Sequence, residues 1–272
     1  MHSCMIDNDG VGLNCTVVGS GPPIIMLHGI PDFSGGWQHQ VDDLSASHQL
    51  IIPDLRGFNA SDKPAGKDNY LMTVLVSDIA AILDHFKLEK AGLIGHDMGG
   101  IVAWWAAIML PGHIQRLAVL SAPHPVPYLA ALRAGGEQLQ RQVRNVKAFQ
   151  EMAMAGSLNA EQLSGWVEDA DLRSGLQQAL ERSDAEAVVS YYLANFELTK
   201  NLQFDQIPRV QCPTLVIRGQ NDPYVAPGLF DATWKHVNAE TSTVCLPHAA
   251  HFIHHQAADV VNRHLKNWFA NE

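Results

Sequence analysis

Four short apolar runs alternate with helix-like patterns in the first half of the chain. Two segments whose apolar residues recur with helical spacing, 73–86 and 101–110, lie between the later runs. A run that is apolar throughout, without alternation, is typical of a strand buried on both faces. The sequence therefore predicts an α/β fold with a mostly parallel sheet and helices on both faces. The four predicted strands are 23–27, 49–53, 91–95 and 116–121.

The pattern changes between residues 125 and 208. Strand-like runs are absent from this stretch, and Gln, Glu, Arg, Ala and Leu recur there with helical spacing. Strand-like runs return at 213–218 and 240–246, ahead of a C-terminal helical pattern. We interpret 125–208 as a helical lid inserted between two parts of one α/β domain, 1–124 and 209–272.

Composition argues against several other classes of protein. The 272 residues are 47% hydrophobic and 17% charged, which is typical of a globular protein and not of a disordered one. The net charge of −10 disfavours binding to nucleic acid or to an anionic membrane surface. No apolar stretch approaches the roughly 18 residues of a membrane span, and no secretory signal pattern opens the chain. A cytoplasmic protein is expected.

No metal or organic cofactor is expected either. The four cysteines are widely spaced, in neither a zinc motif nor a disulfide framework, and no phosphate-binding glycine loop is present. The expected partner is a small apolar substrate. The sequence leaves the oligomeric state open, with a homodimer through lid contacts as one arrangement.

The segment Gly95-His96-Asp97-Met98-Gly99-Gly100 lies between a predicted strand and a predicted helix. Glycines on both sides of a central residue at such a junction permit the sharp turn called a nucleophile elbow. The turn lifts its central side chain above the sheet, at the positive end of the following helix. Asp97 is therefore predicted to be a nucleophile and not only a helix-capping residue.

In this segment the chain resembles the α/β-hydrolase superfamily. Aspartate in the place of serine is similar to the branch that holds epoxide hydrolases and haloalkane or haloacetate dehalogenases. A carboxylate attacking an sp³ carbon forms an alkyl ester that water can cleave, whereas attack on an acyl carbon would give a high-energy anhydride. The resemblance implies the α/β-hydrolase fold with an inserted lid.

The resemblance also implies a base and an acid late in the chain. His251 in His248-Ala249-Ala250-His251-Phe252 matches the terminal histidine of the family, which activates the hydrolytic water. Asp222, in the loop after 213–218, matches the acid that orients this histidine and stabilises its imidazolium form. The order nucleophile, acid, base suits the fold. His248, His254 and His255 are alternatives to His251.

The turn His28-Gly29-Ile30-Pro31 resembles a family motif whose backbone N–H groups point at the nucleophile. By this resemblance Ile30 and Met98 form an oxyanion hole for the tetrahedral intermediate. His28 and, after the turn, Phe33 and Trp37 are expected to contact the substrate.

The lid bears on the choice of electrophile. Tyr192, in Ser190-Tyr191-Tyr192-Leu193, matches a lid tyrosine that protonates the epoxide oxygen, and Tyr191 matches its packing neighbour. Trp166 stands where the first of two family tyrosines is expected, and an indole N–H donates a hydrogen bond but delivers no proton. Phe149 lies in a stretch that also resembles the epoxide hydrolase lid. These four residues are expected at the substrate site.

The leading interpretation is an epoxide hydrolase. The alternative is a hydrolytic dehalogenase, in which Trp166 and Tyr192 hold the halide. Against it, Met98 stands where haloalkane dehalogenases carry Trp, and no arginine follows the nucleophile as in haloacetate dehalogenases. A non-catalytic binding protein on the same scaffold is a further alternative, and the set Asp97, Asp222 and His251 argues against it.

Overall fold

A computed structural model describes residues 1–199 and 202–270. An eight-stranded sheet forms its centre, with strands in the order β1-β2-β4-β3-β5-β6-β7-β8. The pairs β1–β2 and β2–β4 are antiparallel, and every later pair is parallel. The strands are β1 His2–Asn8, β2 Val11–Val18, β3 Pro23–Leu27, β4 Gln49–Pro53, β5 Ala91–His96, β6 Ile114–Leu120, β7 Thr214–Gly219 and β8 Thr241–Leu246.

Ten α-helices occur in the described part of the chain. They are α1 Gln38–Leu44, α2 Met72–His85, α3 Asp97–Met109, α4 Pro125–Ala134, α5 Glu137–Met154, α6 Ala160–Leu163, α7 Ala170–Glu181, α8 Ala185–Thr199, α9 Ile253–Gln256 and α10 Ala258–Phe269. Short 3₁₀ helices lie at Ser34–Trp37, Lys67–Tyr70, Phe204–Gln206, Pro227–Phe230 and Thr233–His236. The predicted α/β fold is confirmed.

The side chains of β3 explain why its sequence reads as a continuous apolar run. Ile25 and Leu27 pack into one hydrophobic cluster, and Ile24 and Met26 pack into a second cluster on the other face of the sheet. Successive side chains of a strand point to opposite faces, so both faces must be apolar when helices cover both.

The N-terminal hairpin was not predicted. β1 and β2 pair in register from His2 with Val17 to Asn8 with Val11, which leaves Asp9 and Gly10 as a two-residue turn. Both turn residues have positive φ, 51° and 83°. An Asp-Gly pair in that conformation is the preferred turn between two twisted antiparallel strands.

Five helices, α4–α8, lie between β6 and β7, in the segment interpreted as the lid. The first of them begins at Pro125, the predicted boundary. The hydroxyl of Tyr191 donates to the carbonyl of Arg56 at 2.9 Å, and the N–H of Asp184 donates to the carbonyl of Gly57 at 2.9 Å. These two bonds attach α8 to the loop that follows β4.

The same loop is fixed from the other side by a buried ion pair. Arg56, 2% exposed, donates from Nε to Oδ2 of Asp78 at 2.7 Å and from Nη2 to Oδ1 of the same carboxylate. Asn8 also donates to this carboxylate, at 2.7 Å. The Arg56–Asp78 pair therefore connects the loop under the lid to α2 and to β1.

In the described part of the chain, no helix has both the length and the apolar content needed to cross a membrane.

Asp78→Ala is expected to lower the free energy of unfolding by about 3–5 kcal/mol, because it leaves the Arg56 charge buried without its partner. Urea unfolding followed by circular dichroism measures the loss. Glu151→Ala is the control, since it removes the acid of the exposed Lys147–Glu151 pair, which is worth about 0.3–0.5 kcal/mol. Equal losses in both variants would contradict a role for the buried pair.

Candidate active site

The elbow is sharper than the sequence pattern predicted. α3 begins at Asp97, directly after β5 ends at His96, and not near residue 101. Asp97 has φ of 50°, a left-handed conformation that non-glycine residues rarely adopt. A Cβ on Gly99 would lie 2.3 Å from the carbonyl oxygen of His28, so only glycine allows the helix to approach the turn after β3.

Three side chains from three loops meet above the sheet. His251 Nδ1 lies 2.7 Å from Oδ2 of Asp222, and His251 Nε2 lies 3.1 Å from Oδ2 of Asp97. Asp97 follows β5, Asp222 follows β7, and His251 follows β8. The carboxyl ends of parallel strands share one edge of the sheet, which is why residues far apart in sequence converge there.

The carboxylate of Asp222 is held at both oxygens. While Oδ2 faces His251, Oδ1 accepts from the N–H groups of Tyr224 at 2.8 Å and Val225 at 3.0 Å. The Asp222 side chain is 4% exposed. A carboxylate fixed in this way sets the orientation of the His251 ring.

The Asp97 side chain contacts His251 and also borders a cavity, and 22% of it is exposed. The N–H of Ile30 donates to Asp97 Oδ1 at 2.9 Å. Met98 is the second residue of α3, where the backbone N–H has no carbonyl partner within the helix. Both residues thus lie where an oxyanion hole is expected. For Ile30 the hydrogen bond to Asp97 is observed, and for Met98 the position at the start of α3 leaves its N–H free of a partner within the helix.

The charges of the three residues are coupled. Burial by itself would lower the pKa of His251, but its hydrogen bonds to Asp222 and Asp97 and their negative charges raise it to about 10. Burial would raise the pKa of Asp97, yet the hydrogen bond and charge of His251 outweigh it, and the pKa is lowered. At neutral pH Asp97 is therefore ionised and His251 carries a proton on both ring nitrogens.

A cavity of about 360 Å³ opens above Asp97 and His251. Eight of its fourteen lining residues come from the helical segment 125–208, and the other six come from the segments around Ile30, Asp97, Tyr224 and His251. The lining residues are Ile30, Pro31, Asp97, Asn145, Ala148, Phe149, Met152, Gln162, Leu163, Trp166, Tyr192, Tyr224, His251 and Phe252.

Tyr192 separates this cavity from a second one. The second cavity, about 230 Å³, is lined mainly by apolar side chains of α3 and α4, among them Met98, Trp105 and Leu129. The pKa of Tyr192 is well above its usual value. Burial is the main cause, and the negative charge of Asp97 is the second. The phenol is therefore protonated and available as a hydrogen-bond donor.

Two of the predicted lid residues also lie on the first cavity. Phe149 stacks on Tyr192 with ring centroids 6.1 Å apart, and Trp166 stacks on Phe252 at 3.6 Å. The indole Nε1 of Trp166 is buried, and no hydrogen-bond partner for it occurs among the described residues.

Four predicted substrate contacts lie elsewhere. Trp37 is fully buried in the apolar cluster on the opposite face of the sheet, against His254, so its predicted role is wrong. His28 is fully buried and its Nε2 accepts from the N–H of Leu55 at 2.9 Å, which makes it a support of the turn. A substrate contact by His28 is therefore wrong as well.

Phe33 and Tyr191 are also absent from the walls of the catalytic cavity. Phe33 packs beside Gly175 of α7. Tyr191 uses its hydroxyl to bind Arg56 and borders the second cavity instead. The predicted substrate contact is wrong for Phe33, because its ring packs against the hydrophobic core, while Tyr191 lines the second cavity and not the one above Asp97.

Eight of the residues that line the cavity were not predicted from the sequence, among them Tyr224, Phe252 and Asn145. Tyr224 and Phe252 each lie within two residues of Asp222 or His251, and that proximity was the available signal. Asn145 projects from the middle of α5, and no motif distinguishes it.

Comparison with known proteins agrees with this geometry. The model of the alpha/beta hydrolase fold family matches residues 22–258. The chain belongs to the alpha/beta hydrolase fold family.

Its relatives include proteins named as epoxide hydrolases. The chain is 25% identical to epoxide hydrolase 4 of Mus musculus, over 95% of this chain and 77% of that protein. It is 42% identical to the AB hydrolase superfamily protein YfhM of Bacillus subtilis, over 44% of this chain and 43% of that protein. The YfhM match thus spans less than half of either protein.

A solved structure is similar over the whole chain. The epoxide hydrolase of Bacillus megaterium in complex with an inhibitor has a TM-score of 0.88 and 27% identity. The match covers 99% of this chain and 100% of that one.

Asp97→Asn is expected to lower the pKa of His251, because the variant removes one of the two negative charges that stabilise the imidazolium ion. Long-range ¹H–¹⁵N NMR follows the ring, which in the wild-type protein is expected to titrate near pH 10. Asp42→Asn, on the exposed face of α1, should leave that titration unchanged. A wild-type titration near pH 6.5 would show that the ring nitrogens lack these partners.

Proposed function

We propose that this protein is a hydrolase of the aspartate-nucleophile branch that opens epoxides to diols through a covalent ester on Asp97. The observation that carries the proposal is a carboxylate at the elbow, open to a cavity and paired with a His251–Asp222 dyad. The relatives named as epoxide hydrolases support the choice of electrophile.

The first step is alkylation of Asp97. Oδ1 accepts from the N–H of Ile30, and Oδ2 lies beside Nε2 of His251. Attack by Oδ2 on an epoxide carbon leaves Oδ1 beside the Ile30 N–H, where the second step needs it. The C–O bond of the epoxide breaks as the new ester bond forms. Tyr192 donates its phenolic proton to the departing oxygen, which is needed because an alkoxide is far more basic than a phenolate.

Ester formation changes the charge around His251. The alkylated Asp97 no longer carries a negative charge, so one of the two influences that raise the pKa of His251 disappears. The imidazolium then passes a proton, through water, to the phenolate that Tyr192 became in the first step, and His251 becomes a base. Alkylation thus prepares the residue needed for the second step.

The second step is hydrolysis of the ester. His251 Nε2 takes a proton from a water molecule, whose oxygen attacks the Asp97 carboxyl carbon. The negative charge of the tetrahedral intermediate falls on the oxygen beside the N–H groups of Ile30 and Met98. The ester C–O bond breaks, and the diol oxygen takes a proton from His251. The Asp97 carboxyl group formed in this way gives its own proton to His251, which restores both the carboxylate and the imidazolium ion.

The walls of both cavities favour a small apolar substrate. Phe149, Met152, Leu163 and Phe252 surround the first cavity, and the second is lined mainly by aliphatic and aromatic groups. No arginine or lysine lines either cavity within the described residues. A substrate with a carboxylate or phosphate next to the reacting carbon is therefore disfavoured.

One observation favours the second candidate, a hydrolytic dehalogenase. The buried Nε1–H of Trp166 has no partner among the described residues, and its ring borders the cavity together with Tyr192. Two such donors suit a halide leaving group, which needs hydrogen bonds and no proton. The Asp97 ester and its hydrolysis would be the same in both reactions.

The deciding experiment is intact-protein mass spectrometry of His251→Gln after incubation with epoxides and, separately, with halocarbons. The variant keeps the nucleophile and lacks the base, so the ester is expected to accumulate. A mass gain equal to the whole substrate identifies epoxide opening, and a gain of substrate minus hydrogen halide identifies dehalogenation. His251→Gln/Asp97→Ala is the matched control and should gain no mass.

If His251→Gln gains no mass with any substrate that the wild-type protein turns over, Asp97 is not the nucleophile. If the wild-type protein turns over nothing in either panel but binds the compounds, a binding protein on this scaffold is the better description.

Tyr192→Phe is expected to slow alkylation by an epoxide by roughly 10²–10⁴-fold, the usual contribution of a general acid. Single-turnover kinetics in the His251→Gln background measure this step alone. Tyr191→Phe is the control, since its hydroxyl binds Arg56 and faces away from Asp97. The acid role is wrong if both variants lose the same rate.

Asp222→Asn is expected to slow ester hydrolysis by roughly 10³–10⁴-fold, the size of effect seen when a catalytic histidine loses its orienting carboxylate. Alkylation should change far less, because Asp97 and Tyr192 are untouched. Rapid-quench measurement of ester formation and decay separates the two rates. A loss confined to alkylation would contradict the assigned role.

A further inference from the structure

A second cluster of polar side chains lies buried beside the catalytic residues. Asp32 follows the turn that carries Ile30, while His254 and His255 lie in α9, just after His251. One ligand atom from each of these three residues lies within 4.8 Å of the others. The mechanism proposed above uses none of the three.

The cluster has more hydrogen-bonding capacity than the protein fills. His254 Nε2 lies 3.2 Å from Oδ2 of Asp32, and Oδ1 of Asp32 accepts from the N–H of Phe33 at 2.9 Å. His255 Nε2 is buried without a partner among the described residues. Buried polar atoms in native proteins are nearly always paired, so this nitrogen calls for a partner that the chain does not supply.

We propose that Asp32, His254 and His255 bind a divalent transition-metal ion of the Zn²⁺ type. Two imidazoles and one carboxylate are a ligand set that Zn²⁺ favours, with water completing the shell. The site is separate from the Asp97–His251–Asp222 triad and does not depend on the reaction assigned to it.

The distances suit such an ion with a small adjustment. Ligand atoms around tetrahedral Zn²⁺ lie about 3.3 Å apart when each bond is about 2.0–2.1 Å long. The Asp32–His254 separation of 3.2 Å already has this value. His255 has to approach, because the three ligand atoms lie within 4.8 Å of one another and not within about 3.3 Å.

The cluster has one side that solvent can reach. Of its three residues, Asp32 and His254 are buried and His255 is partly exposed. His39, partly exposed, lies next to His255 with ring centroids 5.8 Å apart and marks the side from which an ion can enter.

A bound ion would join two loops of the active site. Asp32 belongs to the segment that places the Ile30 N–H, and His254 to the segment that places His251. Metal binding is therefore expected to raise the melting temperature, since a ligand that binds only the folded state stabilises it.

The test is zinc binding by the full-length protein carrying Cys245→Ser, which removes an exposed thiol that would bind zinc by itself. After treatment with a chelator, the protein is dialysed against ZnCl₂ and its metal content is measured by mass spectrometry. One zinc per chain is expected, with affinity at least about tenfold weaker in His255→Gln. His248→Ala, an exposed histidine of the neighbouring loop, is the control and should bind as the parent does.

Long-range ¹H–¹⁵N NMR of the parent protein makes the test independent of whether a variant folds. Zinc is expected to shift the resonances of the His254 and His255 ring nitrogens. The proposal is overturned if the parent binds no zinc, if His255→Gln binds it equally well, or if only other histidines respond.

Discussion

The structure depends on the close approach of α3 to the turn after β3. Asp97 adopts a left-handed conformation with no residue between strand and helix, and Gly99 lets the helix begin against the carbonyl of His28. This contact places the Asp97 carboxylate within reach of the Ile30 N–H and of His251. A side chain at Gly99 would push α3 away from the turn and separate these groups. The geometry of the site therefore requires glycine at this position.

Much of the fold followed from local patterns, because strands buried on both faces must be apolar throughout. The predicted strands at 23–27 and 49–53 have the observed bounds. The β1–β2 hairpin was missed although Asp9-Gly10 signals it, since both strands mix polar with apolar residues and β1 is the edge strand of the sheet. The beginning of α3 was placed late because its first turn is rich in glycine.

The candidate site was predictable where a motif fixes both residue and position, as at Asp97 and His251. Phe33 and Trp37 follow the turn that carries Ile30, yet their side chains leave it for other parts of the core. Which face a side chain takes after a turn depends on tertiary packing, and the sequence does not encode that locally. The same limit hid Asp32 with His254, which are 222 residues apart.

The order of the three loops has a consequence for synthesis of the chain. Asp97 directly follows β5, which is synthesised early, while its partner His251 lies 154 residues later, beyond the whole helical segment 125–208. β7 and β8 are the last strands of the sheet to be synthesised, and long-range pairings of this kind form late in folding. The nascent chain therefore contains Asp97 before it contains His251, and under the proposed mechanism it acquires the ability to hydrolyse the Asp97 ester only when these strands dock.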